Sequence, residues 1–183
     1  MSELVIIGAG PAGLAASIAA RECGLKVTLI DEFIKPGGRL LGQLYQERDG
    51  TWWNGIKETD KLVAQAEKLG VEITCGISVY HLNKHAHGWL VHTNHGSMQA
   101  PYVLLATGAA EYHVPMPGWT LPGVMSVGAA QVMTNVHRVK VGKKGMIIGA
   151  NILSFAIMHE LQLADLNIAC MVLPPKNEIS KSA

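Results

Sequence analysis

The feature that most constrains the fold is a short apolar run followed at once by three closely spaced glycines. Leu4–Ile7 has the composition of a buried parallel strand, and residues 8–13 then read G-A-G-P-A-G. Apolar residues recur at helical spacing from Leu14 to Cys23, and Gly24 marks the end of that helix. A strand, a glycine turn (residues 8–13) and a helix in this order predict the first part of a β-α-β unit.

Each glycine of the glycine turn has a separate mechanical role. Gly8 permits the tight bend, Gly10 lets the main chain approach a pyrophosphate, and Gly13 lets helix and strand pack closely. The helix N-terminus adds unpaired N–H groups and a partial positive charge that favour phosphate. The predicted nucleotide contacts in this segment are Gly8, Gly10, Pro11, Ala12 and Gly13.

A second buried strand, Val27–Ile30, ends in two acidic residues. Asp31 follows Gly8 by twenty-three positions, at the strand tip where a carboxylate can accept hydrogen bonds from both ribose hydroxyls. Glu32 is the alternative ribose contact. Strand, turn, helix, strand and acid therefore predict a Rossmann-like α/β domain with a parallel sheet, against the alternative of a glycine-rich turn that binds no nucleotide.

The middle of the chain predicts further elements of the same domain. Lys57–Leu69 has the pattern of an amphipathic helix, and Val71–Cys75 returns to a strand. Trp89–Thr93 and Ser97–Ala100 flank a short turn and predict a small antiparallel hairpin. Trp52 and Trp53 are expected in a loop bounded by glycines, either over a bound cofactor or, as we favour, packed in the core or against a partner.

Five histidines lie close together in this middle region but do not predict a metal site. They have no helical i, i+4 pair and no partner carboxylate, and a hairpin spreads its side chains over two faces. We therefore expect no metal. The histidines are His81, His85, His87, His92 and His95.

A second glycine motif near the end of the chain is altered. Met146–Ile148 is a buried-strand pattern, residues 149–154 read G-A-N-I-L-S, and a helix (152–163) and a strand (168–173) follow. Asn151 replaces the glycine that lets pyrophosphate approach, and Ser154 replaces the glycine that packs helix on strand. The segment predicts an incomplete second Rossmann β-α-β unit in which NAD(P) binding is disfavoured.

Three segments carry a resemblance to known flavoproteins. Residues 36–39 read P-G-G-R, which resembles the loop that follows the acidic residue in thioredoxin-reductase-like and amino-acid-dehydrogenase flavoproteins. Residues 106–108 read A-T-G, and residues 117–124 read P-G-W-T-L-P-G-V before G-A-A-Q at 128–131. The last stretch is similar to the large FAD subunits of opine dehydrogenases, hydrogen cyanide synthase, dye-linked proline dehydrogenases and heteromeric sarcosine oxidase.

The resemblance implies that the first ligand is FAD rather than NAD. The P-G-G-R loop would lie along the flavin side of FAD, and the main chain at Val79 would meet the adenine. The resemblance covers nearly the whole chain but only about the first half of such a protein. The site residues that it adds are Gly38, Arg39, Gln43, Val79, Ala106, Thr107 and Gly108.

Size and charge limit the organisation and the partners. The 183 residues predict an FAD-binding segment (1–113), a linker (114–142) and a partial second unit (143–183). A formal charge of +1 with no basic block predicts no nucleic-acid partner. The longest apolar run near the start is far too short for a signal peptide or a membrane span, so we expect a cytoplasmic location. An uncovered second unit predicts self-association, a second flavoprotein subunit or the remainder of a longer chain as its partner.

These features predict an FAD-binding oxidoreductase subunit or fragment, relaying electrons in a heteromeric amine or amino-acid dehydrogenase. No side chain presents itself as a catalytic acid, base or nucleophile. One alternative is a truncated or split nucleotide-binding remnant that is inactive alone. A lesser alternative is a thioredoxin-reductase-like enzyme, which needs a C-x-x-C pair and an intact second glycine motif.

Overall fold

A parallel four-stranded sheet is the framework of the first of two units into which the chain divides, between residues 109 and 110. The structure is a computed structural model that describes residues 2–112 and 115–173. The elements of the first unit are, in chain order, β1 (Leu4–Ile7), α1 (Pro11–Glu22), β2 (Val27–Asp31), a 3-10 turn (Gly38–Gly42), β3 (Leu44–Gln46), β4 (Trp52–Asn54), α2 (Gly55–Lys68), β5 (Glu72–Cys75), β6 (Val79–His85), β7 (Gly88–Thr93), β8 (Gly96–Ala100) and β9 (Tyr102–Leu105).

The parallel sheet has the strand order β5-β2-β1-β9, so β1 lies between β2 and β9. All four residues of β1 are buried, as are the first four of β2. Both strands can be apolar throughout because the sheet is covered on both faces. Leu14 and Ile18 of α1 pack with Ala66 of α2 on one face, and Val91 of β7 packs on the other. The predicted Rossmann-like α/β domain is confirmed.

The second face of the parallel sheet is covered by an antiparallel sheet of β6, β7 and β8. The predicted hairpin is confirmed, since β7 pairs with β8 from Trp89–Ala100 to Thr93–Gly96. The third strand, β6, was not predicted. Trp52 and Trp53 lie in β4, which pairs with β3, so the predicted loop is wrong at these two residues. Trp53 stacks on Tyr45 with ring centroids 5.0 Å apart.

The second unit contains a β-α-β arrangement, as the sequence predicts. Its elements are α3 (Val127–Gln131), a π-helical turn (Val132–Val136), β10 (Lys144–Ile148), α4 (Ile152–Leu163) and β11 (Asn167–Val172). The strands β10 and β11 are parallel neighbours. Ala130 of α3 is buried with Ile157 and Leu161 of α4, so the predicted linker, 114–142, contributes a helix to the core of this unit. The predicted boundaries at 113 and 142 stay a prediction. Among the residues that the structure describes, no helix has the length and apolarity to cross a membrane.

Candidate functional site

The ends of three neighbouring strands define the candidate site. Because β1, β2 and β9 are parallel, their carboxyl ends lie at the same edge of the sheet, and β2 and β9 flank β1 on opposite sides. Ligands of open α/β sheets bind at such a switch in strand order. The Gly8 N–H donates to the Ile30 carbonyl (2.8 Å), and the Ala106 N–H donates to the Ile7 carbonyl (2.8 Å). The glycine turn and the A-T-G segment therefore lie side by side at this edge.

The three glycines of the glycine turn have different surroundings. Gly8 has a φ of +107°, and a Cβ there would overlap the carbonyl of Ala106. A Cβ on Gly13 would overlap the Gly8 carbonyl oxygen, so this glycine permits the close packing of α1 on the turn. A Cβ on Gly10 would meet no protein atom within 4 Å. Folding therefore explains Gly8 and Gly13, whereas at Gly10 the absent side chain leaves open space.

The N-terminus of α1 carries unpaired main-chain donors. Gly10 is the N-cap residue with no side-chain cap, Pro11 occupies the first turn, and that turn has no acidic residue. The N–H groups of Ala12 and Gly13 lie in the first turn, where an α-helix offers them no carbonyl partner. Such donors, together with the positive end of the helix dipole, favour an anion such as a diphosphate.

The P-G-G-R loop packs directly against the glycine turn. The Gly37 N–H donates to the Ala9 carbonyl (2.7 Å), and a Cβ on Gly38 would lie 3.2 Å from the Gly10 Cα. Arg39 donates from its guanidinium to the carbonyl of Ala109 (3.0 Å), just after the A-T-G segment. The structure thus brings together the glycine turn, the P-G-G-R loop and the segment Ala106–Gly108, which the sequence predicts to share one ligand.

The predicted ribose contact, Asp31, is already engaged by the main chain. Its Oδ2 accepts from the Ala9 N–H (2.6 Å), and its Oδ1 accepts from the Phe33 N–H (2.8 Å). Glu32, the alternative, is exposed. Carboxylate oxygens have further lone pairs, so these bonds leave Asp31 able to accept a ribose hydroxyl as well.

Two other predicted contacts, Val79 and Gln43, lie at the borders of this site. Val79 begins β6, pairs with Thr93 and packs against the cluster that contains Ile30 at the end of β2. Gln43 follows the 3-10 turn, and its carbonyl accepts from the Gly55 N–H (2.9 Å) at the start of α2. Contact of either residue with a nucleotide stays a prediction.

A family model for the pyridine nucleotide-disulphide oxidoreductases matches residues 2–160 of the 183. The chain belongs to this family. One relative, the first of the opine oxidase subunits of Agrobacterium tumefaciens (strain Ach5), is 30% identical over 87% of this chain and 34% of that protein. Another, the HcnB subunit of hydrogen cyanide synthase from Pseudomonas aeruginosa, is 32% identical over 90% of this chain and 37% of that protein. The chain spans about a third of the length of these two relatives.

Solved structures share the fold of this pyridine nucleotide-disulphide oxidoreductase. The L-proline dehydrogenase from P. horikoshii aligns with a TM-score of 0.80 at 24% identity, over 93% of this chain and 35% of that chain. The thioredoxin reductase from Lactococcus lactis aligns with a TM-score of 0.72 at 21% identity, over 94% of this chain and 55% of that chain. The family and its flavoprotein members indicate FAD as the cofactor. The open space at Gly10 beside the amides of α1 fits the diphosphate of that group.

The family name also implies a pyridine nucleotide, and the helix that would bind it has a different N-terminus from α1. Asn151 is the N-cap of α4, and its Oδ1 accepts from the Ser154 N–H (2.9 Å). Asn151 and Ser154 form a reciprocal capping box, so their own side chains take up donors that a phosphate would use. In contrast to the N-terminus of α1, this one is closed by the protein itself.

The family name implies a disulphide as well, and the cysteines do not form one. Cys23, Cys75 and Cys170 are free, and no two of them stand at C-x-x-C spacing. Burial, and to a lesser extent the Asp31 carboxylate, raise the pKa of the Cys75 thiol above its usual value. A raised pKa disfavours the thiolate, which is the reactive form of cysteine.

The histidines of the antiparallel sheet pair with one another and with a serine. The rings of His81 and His92 have centroids 5.6 Å apart, and the Ser97 hydroxyl lies 3.0 Å from His92 Nδ1. Within residues 2–112 and 115–173, no three His, Cys, Asp or Glu side chains converge as a metal site would require.

Proposed function

We propose that the chain binds FAD through residues 1–109 and serves as the FAD-binding part of an oxidoreductase subunit in a heteromeric amine or amino-acid dehydrogenase. The observation that carries this proposal is the open space at Gly10, next to the uncapped N-terminus of α1. A diphosphate placed there would receive main-chain N–H groups and the positive end of a helix dipole.

The chain's own residues would bind and orient the cofactor. The glycine turn would hold the diphosphate, Asp31 or Glu32 the adenine ribose, and the main chain at Val79 the adenine. The P-G-G-R loop and the segment Ala106–Gly108 would border the flavin side. When bound, FAD supplies the two-electron chemistry, and the protein contributes orientation and electrostatics. No side chain is assigned as a catalytic acid, base or nucleophile.

The role within a larger enzyme rests on the relatives. The matched chains of opine oxidase, hydrogen cyanide synthase and sarcosine oxidase are each named as one subunit of an enzyme. By this analogy we infer a second polypeptide, or the remainder of a longer chain, as the partner of this one. The substrate class, the route of electrons and a cytoplasmic location belong to the proposal.

A thioredoxin-reductase-like activity is disfavoured by two features of the chain. The Asn151–Ser154 capping box occupies donors at the N-terminus of α4, and the cysteines provide no C-x-x-C pair. The first feature argues against hydride delivery from a nicotinamide nucleotide, and the second against a disulphide as acceptor.

The proposal is tested by an ultraviolet-visible spectrum and a native mass of the purified chain. We expect a yellow preparation with flavin absorbance and a mass increment equal to FAD. Colourless protein that ADP still stabilises against heat would support the alternative, a nucleotide-binding remnant inactive alone. Colourless protein that neither FAD nor ADP stabilises would contradict nucleotide binding altogether.

A matched pair of variants links the colour to the proposed site. Gly10→Val should remove flavin and leave α4 folded, because the added side chain enters the space proposed for the diphosphate. Gly76→Val is the control, at a glycine that also has no protein atom near an added Cβ but lies outside the glycine turn. Equal flavin content in Gly10→Val and the unaltered chain would refute this placement.

A further inference from the structure

Ala9, the residue between the first two glycines of the glycine turn, is held on both sides by other segments. Its N–H donates to Asp31 Oδ2 (2.6 Å), and its carbonyl accepts from the Gly37 N–H (2.7 Å). The Ala9 side chain is fully buried in the core cluster of β1 and α1. Ala9 is therefore fixed by a carboxylate from β2, by an amide from the P-G-G-R loop and by packing.

These two hydrogen bonds fix the direction of the neighbouring peptides. A trans peptide is planar and its C=O and N–H point in opposite directions. The bond from Gly37 to the Ala9 carbonyl thus sets where the Gly10 N–H points, and the bond to Asp31 sets the plane of the Gly8–Ala9 peptide. Both peptides belong to the segment that leads into the amides of α1.

The bond to Asp31 is of the stronger kind. A hydrogen bond from a main-chain N–H to an ionised carboxylate is shorter and roughly twice as strong as one between neutral groups. The second oxygen of Asp31 is held by the Phe33 N–H (2.8 Å), so the carboxylate itself has a fixed orientation. A rigidly held acceptor transmits its position to Ala9 more effectively than a mobile one.

We infer that Asp31 is a positioning residue for the diphosphate, acting through the Ala9 N–H to hold the glycine turn in its binding conformation. This role is separate from a contact with the ribose, which Asp31 or Glu32 makes directly. The inference rests on the proposed FAD site and deepens it, because it assigns to an acid expected at the ribose an effect on the phosphate end of the ligand.

The two roles are separated by a ligand without ribose hydroxyls. In a titration calorimeter the full chain is titrated with ADP and with 2′,3′-dideoxy-ADP. Asp31→Ala should weaken dideoxy-ADP by about tenfold or more, the effect of losing a hydrogen bond to a charged group. A residue that acts only on the ribose would leave dideoxy-ADP affinity unchanged, and that result in Asp31→Ala would overturn the inference.

Glu32→Ala is the matched control, because it removes the neighbouring exposed acid and leaves the Ala9 bond intact. It should leave dideoxy-ADP affinity unchanged. Weaker binding of ADP alone in this variant would assign the ribose contact to Glu32. An equal loss of dideoxy-ADP affinity in both variants would indicate a general effect of negative charge and would overturn the positioning role.

Amide hydrogen exchange tests the same bond without any ligand. In the unaltered chain the Ala9 amide should exchange slowly, and in Asp31→Ala it should exchange at least about tenfold faster while the amides of β1 keep their protection. Fast exchange of the Ala9 amide in the unaltered chain would overturn the inference even if the variant failed to fold. Failure of the unaltered chain to bind ADP would instead contradict the proposed function.

Discussion

Two glycines of the glycine turn differ in what surrounds the hydrogen atom that a side chain would replace. At Gly10 an added Cβ meets no protein atom within 4 Å, whereas at Gly13 it overlaps the Gly8 carbonyl oxygen. The backbone of Gly10 is extended, with a φ of −71°, which any residue can adopt. The sequence requirement at Gly10 therefore comes from a ligand, and the one at Gly13 comes from folding.

Valine at Gly10 should accordingly abolish ADP binding at a small cost in stability. The loss of a glycine N-cap lowers the free energy of unfolding by no more than about 1 kcal/mol. Gly13→Ala, in contrast, forces main chain apart and should lower it by about 2 kcal/mol or more. Urea unfolding followed by circular dichroism, with ADP calorimetry on the same samples, measures both. A Gly10 variant that binds ADP normally would contradict this division.

Two buried threonines illustrate how hydrogen bonding decides the value of a polar group. Thr59 in α2 is 2% exposed, and its hydroxyl has no partner among the described residues. Thr93 in β7 is 4% exposed, but its hydroxyl donates to the Gly96 carbonyl (2.8 Å) and accepts from the His95 N–H (3.1 Å). Burial is similar, and only the hydrogen bonds differ.

Substitution of each threonine by valine, which has nearly the same shape, should therefore act in opposite directions. Thr59→Val removes an unpaired buried hydroxyl and should raise the free energy of unfolding by up to about 1 kcal/mol. Thr93→Val breaks two bonds and leaves buried main-chain groups without a partner, which should lower it by about 1–3 kcal/mol. Equilibrium unfolding in urea gives both values. A loss of stability in Thr59→Val would show that its hydroxyl has a partner, such as a buried water.

At the scale of elements, helices α1 and α4 begin in different ways although each follows a strand that ends in glycine. α1 starts after Gly10 with no side-chain cap, and α4 starts with the Asn151–Ser154 capping box. A cap side chain stabilises a helix by satisfying one of its first N–H groups. The start of α4 is thus stabilised by its own sequence, whereas the start of α1 keeps its donors available.

Removal of the α4 cap should destabilise the second unit alone. Asn151→Ala should lower the stability of α4 by about 1 kcal/mol, the usual effect of losing an N-cap. Amide exchange measured by nuclear magnetic resonance reports this for α4 and α1 separately. Asn167→Ala, at an exposed position that begins β11, is the control and should have little effect. Faster exchange in α1 of the Asn151 variant would contradict a local role for the cap.

The elements that the sequence predicts correctly are those whose signal is local. β1 is a continuous apolar run, and the helix predicted for 152–163 is the observed α4, Ile152–Leu163. α1 begins at Pro11 rather than at Leu14, because proline at the first helical position marks the start before any apolar spacing does. The ribbon of β3 and β4 was missed, since three-residue strands depend on their pairing rather than on their own pattern.

The candidate site shows the same division. The sequence predicts which glycines, acids and loops belong to it, because spacing along the chain places them at the strand ends. It does not predict that Asp31 bonds to the Ala9 amide, or that Gly37 bonds to the Ala9 carbonyl. Both contacts depend on how closely β2 and the P-G-G-R loop approach the turn, which only the folded chain determines.

At the scale of the whole molecule, each of the two units has its own hydrophobic core. Two core clusters, built around Ile6 and around Val5, lie within residues 2–109, and a third, around Ile157, lies within the second unit. Every residue that the sequence predicts to contact FAD, from Gly8 to Gly108, belongs to the first unit. A segment with its own core and all of its ligand contacts has the properties of an independent domain.

Residues 1–109 expressed alone should therefore fold and bind ADP with an affinity within about threefold of the full chain, because distant sites contribute independently. Dispersed amide resonances and calorimetry on the fragment measure the two properties. FAD is the informative second ligand, since its flavin half extends beyond the adenine and diphosphate contacts of this unit. Equal affinity of the fragment and the full chain for ADP, but weaker binding of FAD to the fragment, would show that residues after 109 contribute to holding the flavin. An unfolded fragment would instead show that the core around Ile6 is insufficient without the second unit.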